Sequence, residues 1–251
     1  MLRKLIHIIV WAGILAYLGI ALSFTEKMEN SIMVDSIIVE VVDSADYKFI
    51  ERKDIIGTLN KFGIKITGMK ADSVNRSAIR EAVYDISEIK DVNVFFKHEN
   101  ELHIKVWQRK PVLRIKSGDM DYYLDEENKE FRFRPGFSPK VMLISGFIGI
   151  DYARERLFPM VRFIQQDPFL RSLIMGIYVD SRQRLELITR IENHRVYMGD
   201  ANGYEWKFAK LTAFYEEAIP KVGWDKYSSI HLDFGDQVVC KKDINQSINS
   251  S

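Results

Sequence analysis

The chain has 251 residues, with 36 Lys and Arg against 35 Asp and Glu, so its formal net charge at pH 7 is only +1. This balance excludes the strongly basic surface that nucleic-acid-binding proteins use, and a hydrophobic content of 47% excludes a disordered chain. The single cysteine, Cys240, excludes an intramolecular disulfide, and we expect it to be a small buried hydrophobe.

The first predicted element is an apolar segment near the N-terminus. Leu5 to Phe24 reads LIHIIVWAGILAYLGIALSF and carries no formal charge. A helix of this length is about 30 Å long, which matches the hydrocarbon core of a bilayer. Arg3 and Lys4 precede it, so the positive-inside rule predicts a type II anchor with a cytosolic tail of residues 1–4. A signal peptide cleaved near Ala21 is the alternative, although signal peptides usually have apolar regions of only about 7–15 residues.

After a juncture of residues 25–35, the sequence predicts a β-α-α-β-β domain over residues 36–110. The domain begins with a run of strand-forming residues, which is followed by two segments with helical apolar spacing and then by a hairpin. The predicted ranges are Ser36–Val42, Phe49–Phe62, Asn75–Ser87, Val92–Phe96 and Leu102–Trp107. Gly63 is a candidate helix C-cap, and Asn75 or Ser73 is a candidate N-cap.

Residues 111–241 predict a mostly antiparallel β domain with flanking helices. Its predicted strands are Val112–Ile115, Tyr122–Asp125, Val141–Ile144, Ile174–Val179, Leu185–Thr189, Arg195–Met198, Ser229–Phe234 and Gln237–Lys241. Two helices are predicted, Tyr152–Gln166 ending at Asp167-Pro168 and Glu205–Ala218 ending at Pro220. Residues 242–251 are polar and predict a flexible tail. The predicted fold class is therefore α+β.

The sequence carries no recognisable catalytic or metal-binding pattern. Its five histidines lack the spacing that places several ligands on one metal ion. No G-x-S-x-G elbow or Gly-rich phosphate loop occurs. The acidic run Asp125 to Glu127 predicts a solvated turn, because consecutive carboxylates do not face each other across a substrate. We therefore expect no cofactor, no metal and no small-molecule substrate.

Several short patterns follow one another in order along both predicted domains. They are Leu102 to Pro111 (LHIKVWQRKP), Tyr123 to Phe131 (YLDEENKEF), Pro139 to Gly146, Arg195 to Gly199 followed by Lys207 and Leu211, and Ile230 to Phe234 followed by Gln237 to Val239. In this order, behind an N-terminal apolar segment, they resemble the FtsQ/DivIB family of bacterial cell-division proteins, in particular its Bacteroidetes-type version. The resemblance covers nearly the whole chain.

The resemblance implies a POTRA domain followed by the family's β domain, on a single-pass inner-membrane protein. Its outer domains would lie in the periplasm at the division septum. The implied function is a non-enzymatic divisome scaffold, and the implied partners are FtsB- and FtsL-like membrane proteins. The chain departs from the family at Asn128, which replaces a turn glycine and can adopt positive φ. It departs again at Ser229 and near Lys241, where the family often has aromatic residues.

A hairpin at the end of a β domain predicts a sheet edge with unpaired backbone groups, which an incoming strand can complete. The candidate edge residues are Ser229, Ile230, Leu232, Phe234, Val238, Val239 and Lys241. Candidate contacts at the joint between the domains are Arg109, Pro111 and Arg114. The aromatic residues of the predicted helix Glu205–Ala218 are expected to be mainly core.

Two other functions stay open on the sequence alone. One is an anchored or secreted cell-envelope enzyme with an unrecognised site, and the other is a POTRA-bearing export or assembly chaperone. A cleft that gathers polar residues would favour the enzyme. A bare sheet edge without a pocket would favour the scaffold.

Overall fold

The computed structural model describes residues 10–21, 33–98, 100–191 and 194–242. They form two compact units, and the boundary between the units falls between Gln108 and Arg109. The first unit contains a three-stranded sheet and the second a nine-stranded sheet.

The N-terminal apolar segment is described only in part. Residues 10–21 are helical and solvent-exposed. The rest of the predicted anchor Leu5–Phe24, the predicted tail of residues 1–4 and the juncture up to residue 32 lie outside the described residues, as do residues 243–251. Within the described ranges, no helix combines the length and the apolar character needed to cross a membrane.

The first unit has the predicted order of strand, helix, helix, strand, strand. Its elements are β1 (Ser36–Val41), α1 (Arg52–Lys61), a 3-10 turn (Ala71–Ser73), α2 (Arg76–Tyr84), β2 (Ile89–His98) and β3 (Glu101–Gln108). The central strand β3 runs parallel to β1 and antiparallel to β2. Alternate residues of β3, namely Leu102, Ile104 and Val106, are fully buried and form the sheet side of the core.

Helix α1 starts later than predicted because Glu51 is extended, at φ −116° and ψ 162°, and acts as its N-cap, with its N–H donating to Oδ2 of Asp54 at 2.8 Å. The residues before Glu51 are held by a side chain of β3. The backbone N–H groups of Phe49 and Ile50 donate to Oε1 of the buried Gln108 at 2.9 and 3.0 Å. Nε2 of Gln108 donates in turn to the carbonyl of Tyr47 at 2.8 Å. A buried amide side chain on β3 thus fixes the segment that enters α1.

Both predicted helix caps in this unit are confirmed. Gly63 has φ +70°, and the N–H of Ile64 donates to the carbonyl of Leu59 at 2.9 Å, which is the long bond of a Schellman motif. Oδ1 of Asn75 accepts a hydrogen bond from the N–H of Ala78 at 3.0 Å at the start of α2. Local sequence signals were therefore sufficient to place these helix ends.

The second unit is built on a nine-stranded sheet. Its strands are β4 (Pro111–Ser117), β5 (Met120–Asp125), β6 (Glu130–Arg132), β7 (Met142–Gly146), β8 (Ile174–Val179), β9 (Leu185–Thr189), β10 (Arg195–Gly199), β11 (Tyr227–Phe234) and β12 (Gln237–Lys242). They are ordered β12-β11-β10-β9-β8-β7-β4-β5-β6. Five of the eight pairings are antiparallel, and β4–β7, β7–β8 and β10–β11 are parallel.

The helices of this unit occur in two runs. The first contains α3 (Ile150–Tyr152), a π-helical segment (Ala153–Leu157), α4 (Phe158–Gln166) and α5 (Pro168–Leu173). The second contains α6 (Tyr204–Ala213), a π-helical segment (Phe214–Ala218) and α7 (Ile219–Val222). Both runs supply side chains to the core of the unit.

The two helix ends predicted in this unit have different outcomes. Asp167-Pro168 ends α4 as predicted, but it also starts α5, since Oδ1 of Asp167 accepts from the N–H of Leu170 at 2.9 Å and Pro168 occupies the first helical position. Pro220 does not end the second run, which continues through α7. Pro220 lies in the first turn of α7, where a missing N–H costs no intrahelical hydrogen bond.

The main core of this unit lies on one face of the nine-stranded sheet, and the buried Tyr123 and Phe131 pack together on the other face at the end that carries β5 and β6. A row of residues in register crosses seven strands and either belongs to the core or packs against it: Ile115, Ile144, Ile177, Leu187, Val196, Ile230 and Cys240. Residues at alternate positions, such as Leu143, Tyr178 and Ile188, are 42%, 40% and 45% exposed. Because successive side chains of a strand point to opposite faces, the helices cover one face and these residues lie on the open face.

Candidate partner-binding edge

Strand β12 is the outermost strand at one end of the nine-stranded sheet. It pairs only with β11, and no other described residue forms a strand against its outer side. In an antiparallel pair, alternate residues of an outermost strand direct their N–H and C=O groups away from the sheet. The outer side of β12, called the outer edge below, is therefore a template for an added strand.

The structure places this edge on β12 alone and not on both strands of the hairpin. Strand β11 is hydrogen-bonded to β12 on one side and to β10 on the other. Ile230 and Leu232 are 0% and 1% exposed and belong to the core, and Ser229 is also buried. These three residues therefore lie within the fold and not at the free side of the sheet, and their contact with a partner stays a prediction.

The remaining candidate residues alternate in the way that an outer strand requires. Along β12, Val238 is half-buried and packs against the core, whereas Val239 and Lys241 are exposed. Phe234, the last residue of β11, is 52% exposed. Four of the seven predicted edge residues therefore lie on or beside the outer strand, and three of these four are solvent-exposed.

An aromatic surface adjoins the outer edge on the open face of the sheet. The rings of Tyr197 and His231 stack with centroids 4.8 Å apart, and the ring of Phe234 meets that of His231 edge-on at 6.2 Å. Val239 is the register neighbour of His231. These four residues are called the edge patch below. Sequence reasoning missed Tyr197, which alternates with core residues of its strand, whereas His231 lies within the predicted strand Ser229–Phe234.

The turn of the hairpin is bonded to the rest of the unit on both faces. From α6, Nζ of Lys210 donates to the carbonyls of Leu232, Gly235 and Gln237 at 2.7, 2.6 and 3.3 Å. From the other side, Nη2 of Arg184 donates to Oδ2 of Asp233 at 2.6 Å. The end of the hairpin is thus fixed by side chains as well as by strand pairing.

The aromatic residues of the second helical run mostly face the core, as predicted. Phe208 and Tyr215 are buried, and Phe214 packs against the core, whereas Trp206 is 57% exposed. The hydroxyl of Tyr215 lies 2.8 Å from Nδ1 of the buried His194. Nε2 of His194 lies 2.6 Å from the carbonyl oxygen of Trp224, which can only accept, so Nε2 carries the proton. In the neutral ring Nδ1 then accepts from the Tyr215 hydroxyl, whose pKa burial raises.

Arg109 and Arg114, two of the predicted joint contacts, are ion-paired within the second unit. Nη1 of Arg109 lies 2.7 Å from Oδ2 of Asp125. Nε and Nη2 of Arg114 donate to the two carboxylate oxygens of Asp121 at 2.7 and 2.6 Å. This bidentate bond to Asp121 raises the pKa of Arg114. Pro111, the third predicted contact, is the first residue of β4 and is half-buried.

An open groove of about 720 Å³ lies beside β1 in the first unit. Its lining is Asp35, Ser36, Ile37, Arg52, Lys53, Ile56 and Thr67. Nη2 of Arg52 donates to the carbonyl of Ile37 at 3.0 Å, so this arginine already covers part of the β1 edge. The lining holds neither histidine nor cysteine. Across the described part of the chain, no group of three His, Cys, Asp or Glu is placed to hold a metal ion.

Two family profiles match the chain. The profile described as FtsQ/DivIB, C-terminal related, matches residues 110–241, which is just over half of the 251 residues. The profile described as a POTRA-like domain matches residues 27–107. No curated protein matches the chain. The first matched range ends at residue 107 and the second begins at residue 110, on either side of the boundary between Gln108 and Arg109.

Proposed function

The chain belongs to the FtsQ/DivIB family of bacterial cell-division proteins, and on that premise we propose that it is a non-enzymatic scaffold, which recruits and links other division proteins at the septum. The observation that carries this proposal is the outer edge of β12, which has no strand partner among the described residues. A scaffold needs such a surface, whereas an enzyme needs a reactive centre.

The outer edge is suited to strand addition by a partner. An added strand would gain main-chain hydrogen bonds from β12, and its alternate side chains would contact Val239 and the rest of the edge patch. Lys241 and Lys242, both exposed on β12, would favour an acidic residue in the partner. We assign this surface to FtsB- and FtsL-like membrane proteins, which are the partners that the family resemblance implies.

The proposal includes a position for the protein in the cell. Leu5 to Phe24 would anchor the chain in the inner membrane as a type II single-pass protein, with both domains in the periplasm at the division site. The supports are the uncharged apolar run, the basic residues before it and the family membership. Deletion of residues 1–24 should release the protein from membranes, as measured by carbonate extraction of the membrane fraction.

The proposal gives the first domain a recruiting role as well. The POTRA-like domain and the segment with Arg109, Pro111 and Arg114 would offer further contacts to division proteins. The side chains of Arg109 and Arg114 are only 15% and 20% exposed and are paired with Asp125 and Asp121, so a partner would contact the exposed part of this segment and not free guanidinium groups.

The experiment that tests the edge is charge substitution on the outer strand. Val239→Glu places a carboxylate on the edge patch without entering the core, since Val239 is 40% exposed. We expect copurification of the FtsB- and FtsL-like proteins with the tagged full-length chain to fall at least tenfold, because the charge would be desolvated by the added strand.

The matched control is Ile188→Glu on the inner strand β9. Ile188 is 45% exposed on the same open face but lies away from the outer edge. Copurification with this variant should equal that of the wild type. Equal losses for both variants would assign binding to the open face and not to the edge. Normal septation in cells depleted of the protein would refute the division function itself.

A further inference from the structure

Lys210 is a charged residue in an almost fully buried position. It lies on α6 and is only 8% exposed. An ammonium group has three N–H donors, and here the three acceptors are the backbone carbonyls of Leu232, Gly235 and Gln237. None of these partners is a carboxylate, so the position is not an ordinary ion pair.

The three carbonyls are distributed around the turn of the terminal hairpin. Leu232 lies in β11, Gly235 in the turn, and Gln237 is the first residue of β12. One side chain from α6 therefore bonds both strands and the turn between them. A single hydrogen-bonding group that satisfies three chain positions fixes their relative placement.

We propose that Lys210 is a positioning residue for the outer edge: it fixes the β11–β12 turn on α6 and so sets where β12 presents its unpaired backbone groups. The inference rests on the proposed function of the outer edge, and it adds the residue that pre-organises this edge. Pre-organisation strengthens strand addition. If the edge is not already ordered, ordering it on binding costs free energy and weakens the affinity.

Strand pairing alone gives the hairpin limited support. Strand β11 is joined to β10 by only three register pairs, from Arg195↔Ser229 to Tyr197↔His231. The register of β11 with β12 is irregular between His231 and Phe234, the stretch next to the turn. Without Lys210, the turn would depend on the exposed Arg184–Asp233 pair on the opposite face.

The energetics of Lys210 fit a geometric role better than a purely stabilising one. Burial lowers the pKa of Lys210, so the folded protein loses free energy by keeping a charge at this site. An apolar side chain of similar length would avoid that cost. A lysine occupies the site instead, and its three N–H donors match the three turn carbonyls.

The test is hydrogen–deuterium exchange of the full-length chain carrying Lys210→Met, which keeps the length of the side chain and removes its donors. We expect amides of residues 227–242 to exchange at least tenfold faster than in the wild type, whereas amides of β8 and β9 keep their rates. Lys207→Met is the control. Lys207 lies one turn earlier on α6 and donates to Asp200, not to the hairpin.

A second variant covers the case in which Lys210→Met does not fold. Lys210→Gln retains a donating amide at the same position on a shorter side chain, so less of the buried hydrogen bonding is lost than with methionine. It should accelerate the same amides by about threefold, because part of the bonding to the turn carbonyls is lost. Unchanged exchange in residues 227–242, or equal acceleration throughout the sheet, would overturn the inference.

Copurification separates this inference from the function on which it rests. If Lys210→Met loosens the hairpin and also reduces capture of the FtsB- and FtsL-like proteins, both statements are supported. If the wild type captures neither protein, the proposed function fails, and the exchange result on the free chain still decides the role of Lys210. If capture by Lys210→Met equals that of the wild type despite a loosened hairpin, the positioning role is refuted.

Discussion

At the scale of single residues, Asp125 shows how a turn can depend on one buried carboxylate. Its Oδ1 accepts from the N–H groups of Glu127 and Lys129 at 2.9 and 2.8 Å, and its Oδ2 accepts from Arg109. The Asp125 side chain is 2% exposed, so the prediction of a fully solvated acidic turn is wrong at this residue. Asn128 adopts φ +59° in the same turn, which confirms that asparagine can replace glycine there.

Replacing Asp125 should therefore destabilise the second unit. Asp125→Ala leaves two backbone N–H groups of the turn without their acceptor and deprives Arg109 of its ion pair, and we expect a loss of about 3 kcal/mol in the free energy of unfolding. Urea denaturation followed by circular dichroism measures this change. Glu126→Ala is the control, since Glu126 is exposed and its removal should cost under about 0.5 kcal/mol. Equal stability of the two variants would contradict this account of the turn.

Cys240 is predicted to be an unreactive thiol in the folded protein. Burial raises its pKa from 9.0 to about 11, because the thiolate loses its hydration on the core side of β12. At pH 8.5 we expect alkylation by iodoacetamide to be about 100-fold slower than in the urea-unfolded chain, as measured by intact mass.

The raised pKa of Cys240 also determines the direction in which stability changes with pH. The unfolded thiol loses its proton near pH 9, and the folded thiol only near pH 11. The unfolded state therefore binds fewer protons in this interval, and stability falls as pH rises through it. A Cys240→Ala variant should lack this part of the alkaline destabilisation. An alkylation rate equal to that of the unfolded chain would show that the thiol is not buried.

At the scale of secondary-structure elements, the pairing of β10 with β11 creates the candidate site. The two strands are separated in sequence by the helical run α6–α7 and lie parallel, as such a crossover connection requires. Their pairing turns β11 into an inner strand and leaves β12 at the edge. A close approach accompanies it, because Gly199 at the end of β10 faces the side chain of Asp233 on β11.

Gly199 should be intolerant of a side chain for this reason. A Cβ atom at Gly199 would lie 2.8 Å from Cβ of Asp233, and the backbone there has φ +75°. We expect Gly199→Ala to lower the free energy of unfolding by about 3 kcal/mol and to loosen the hairpin. Differential scanning calorimetry measures the first effect and amide exchange of residues 227–242 the second.

Gly203→Ala is a matched control for Gly199→Ala. Gly203 also has positive φ, at +58°, but a Cβ atom there meets no neighbour within 4 Å. Only the backbone strain then remains, with an expected cost of about 1 kcal/mol. If the two variants lost equal stability, the contact between Gly199 and Asp233 would carry no part of the effect.

At the scale of the whole molecule, the chain consists of two units that each bury their own apolar side chains. The buried core of the second unit contains residues between Val112 and Leu232, with Val238 and Cys240 packed against it. The boundary at Gln108/Arg109 falls between the two matched families at residues 27–107 and 110–241. A unit with a complete core and its own sheet has the requirements for independent folding.

We therefore predict that residues 109–242 fold as an isolated domain. The purified fragment should unfold cooperatively on heating, and its near-ultraviolet circular dichroism should show fixed aromatic side chains. A second fragment that ends at residue 240 lacks Lys241 and Lys242 and so has a shorter β12, and its melting is compared with that of the fragment 109–242. A fragment that binds hydrophobic dyes and melts without a transition would show that the first unit is needed for folding.

Several features of this protein follow from its sequence alone because they depend on neighbouring residues. The order of elements in the first unit, the Gly63 and Asn75 caps and the terminal hairpin all arise from local spacing and local hydrogen bonds. The family was likewise accessible, since its motifs are short runs read in order. The exposure of Val239 and Lys241 needed only the alternation of a strand. Phe234 has the same strand parity as the buried Ile230 and Leu232, and it is exposed because the register shifts between His231 and Phe234.

Other features were decided only by the tertiary structure, because they depend on which distant segments meet. The sequence does not show that β10 lies beside β11, so it could not separate the buried Ile230 and Leu232 from the edge. Nor could it pair Tyr197 with His231, or bring Lys210 to carbonyls 22 to 27 residues away. A strand pattern fixes which side chains share a face, whereas burial and partners depend on the neighbour that the fold supplies.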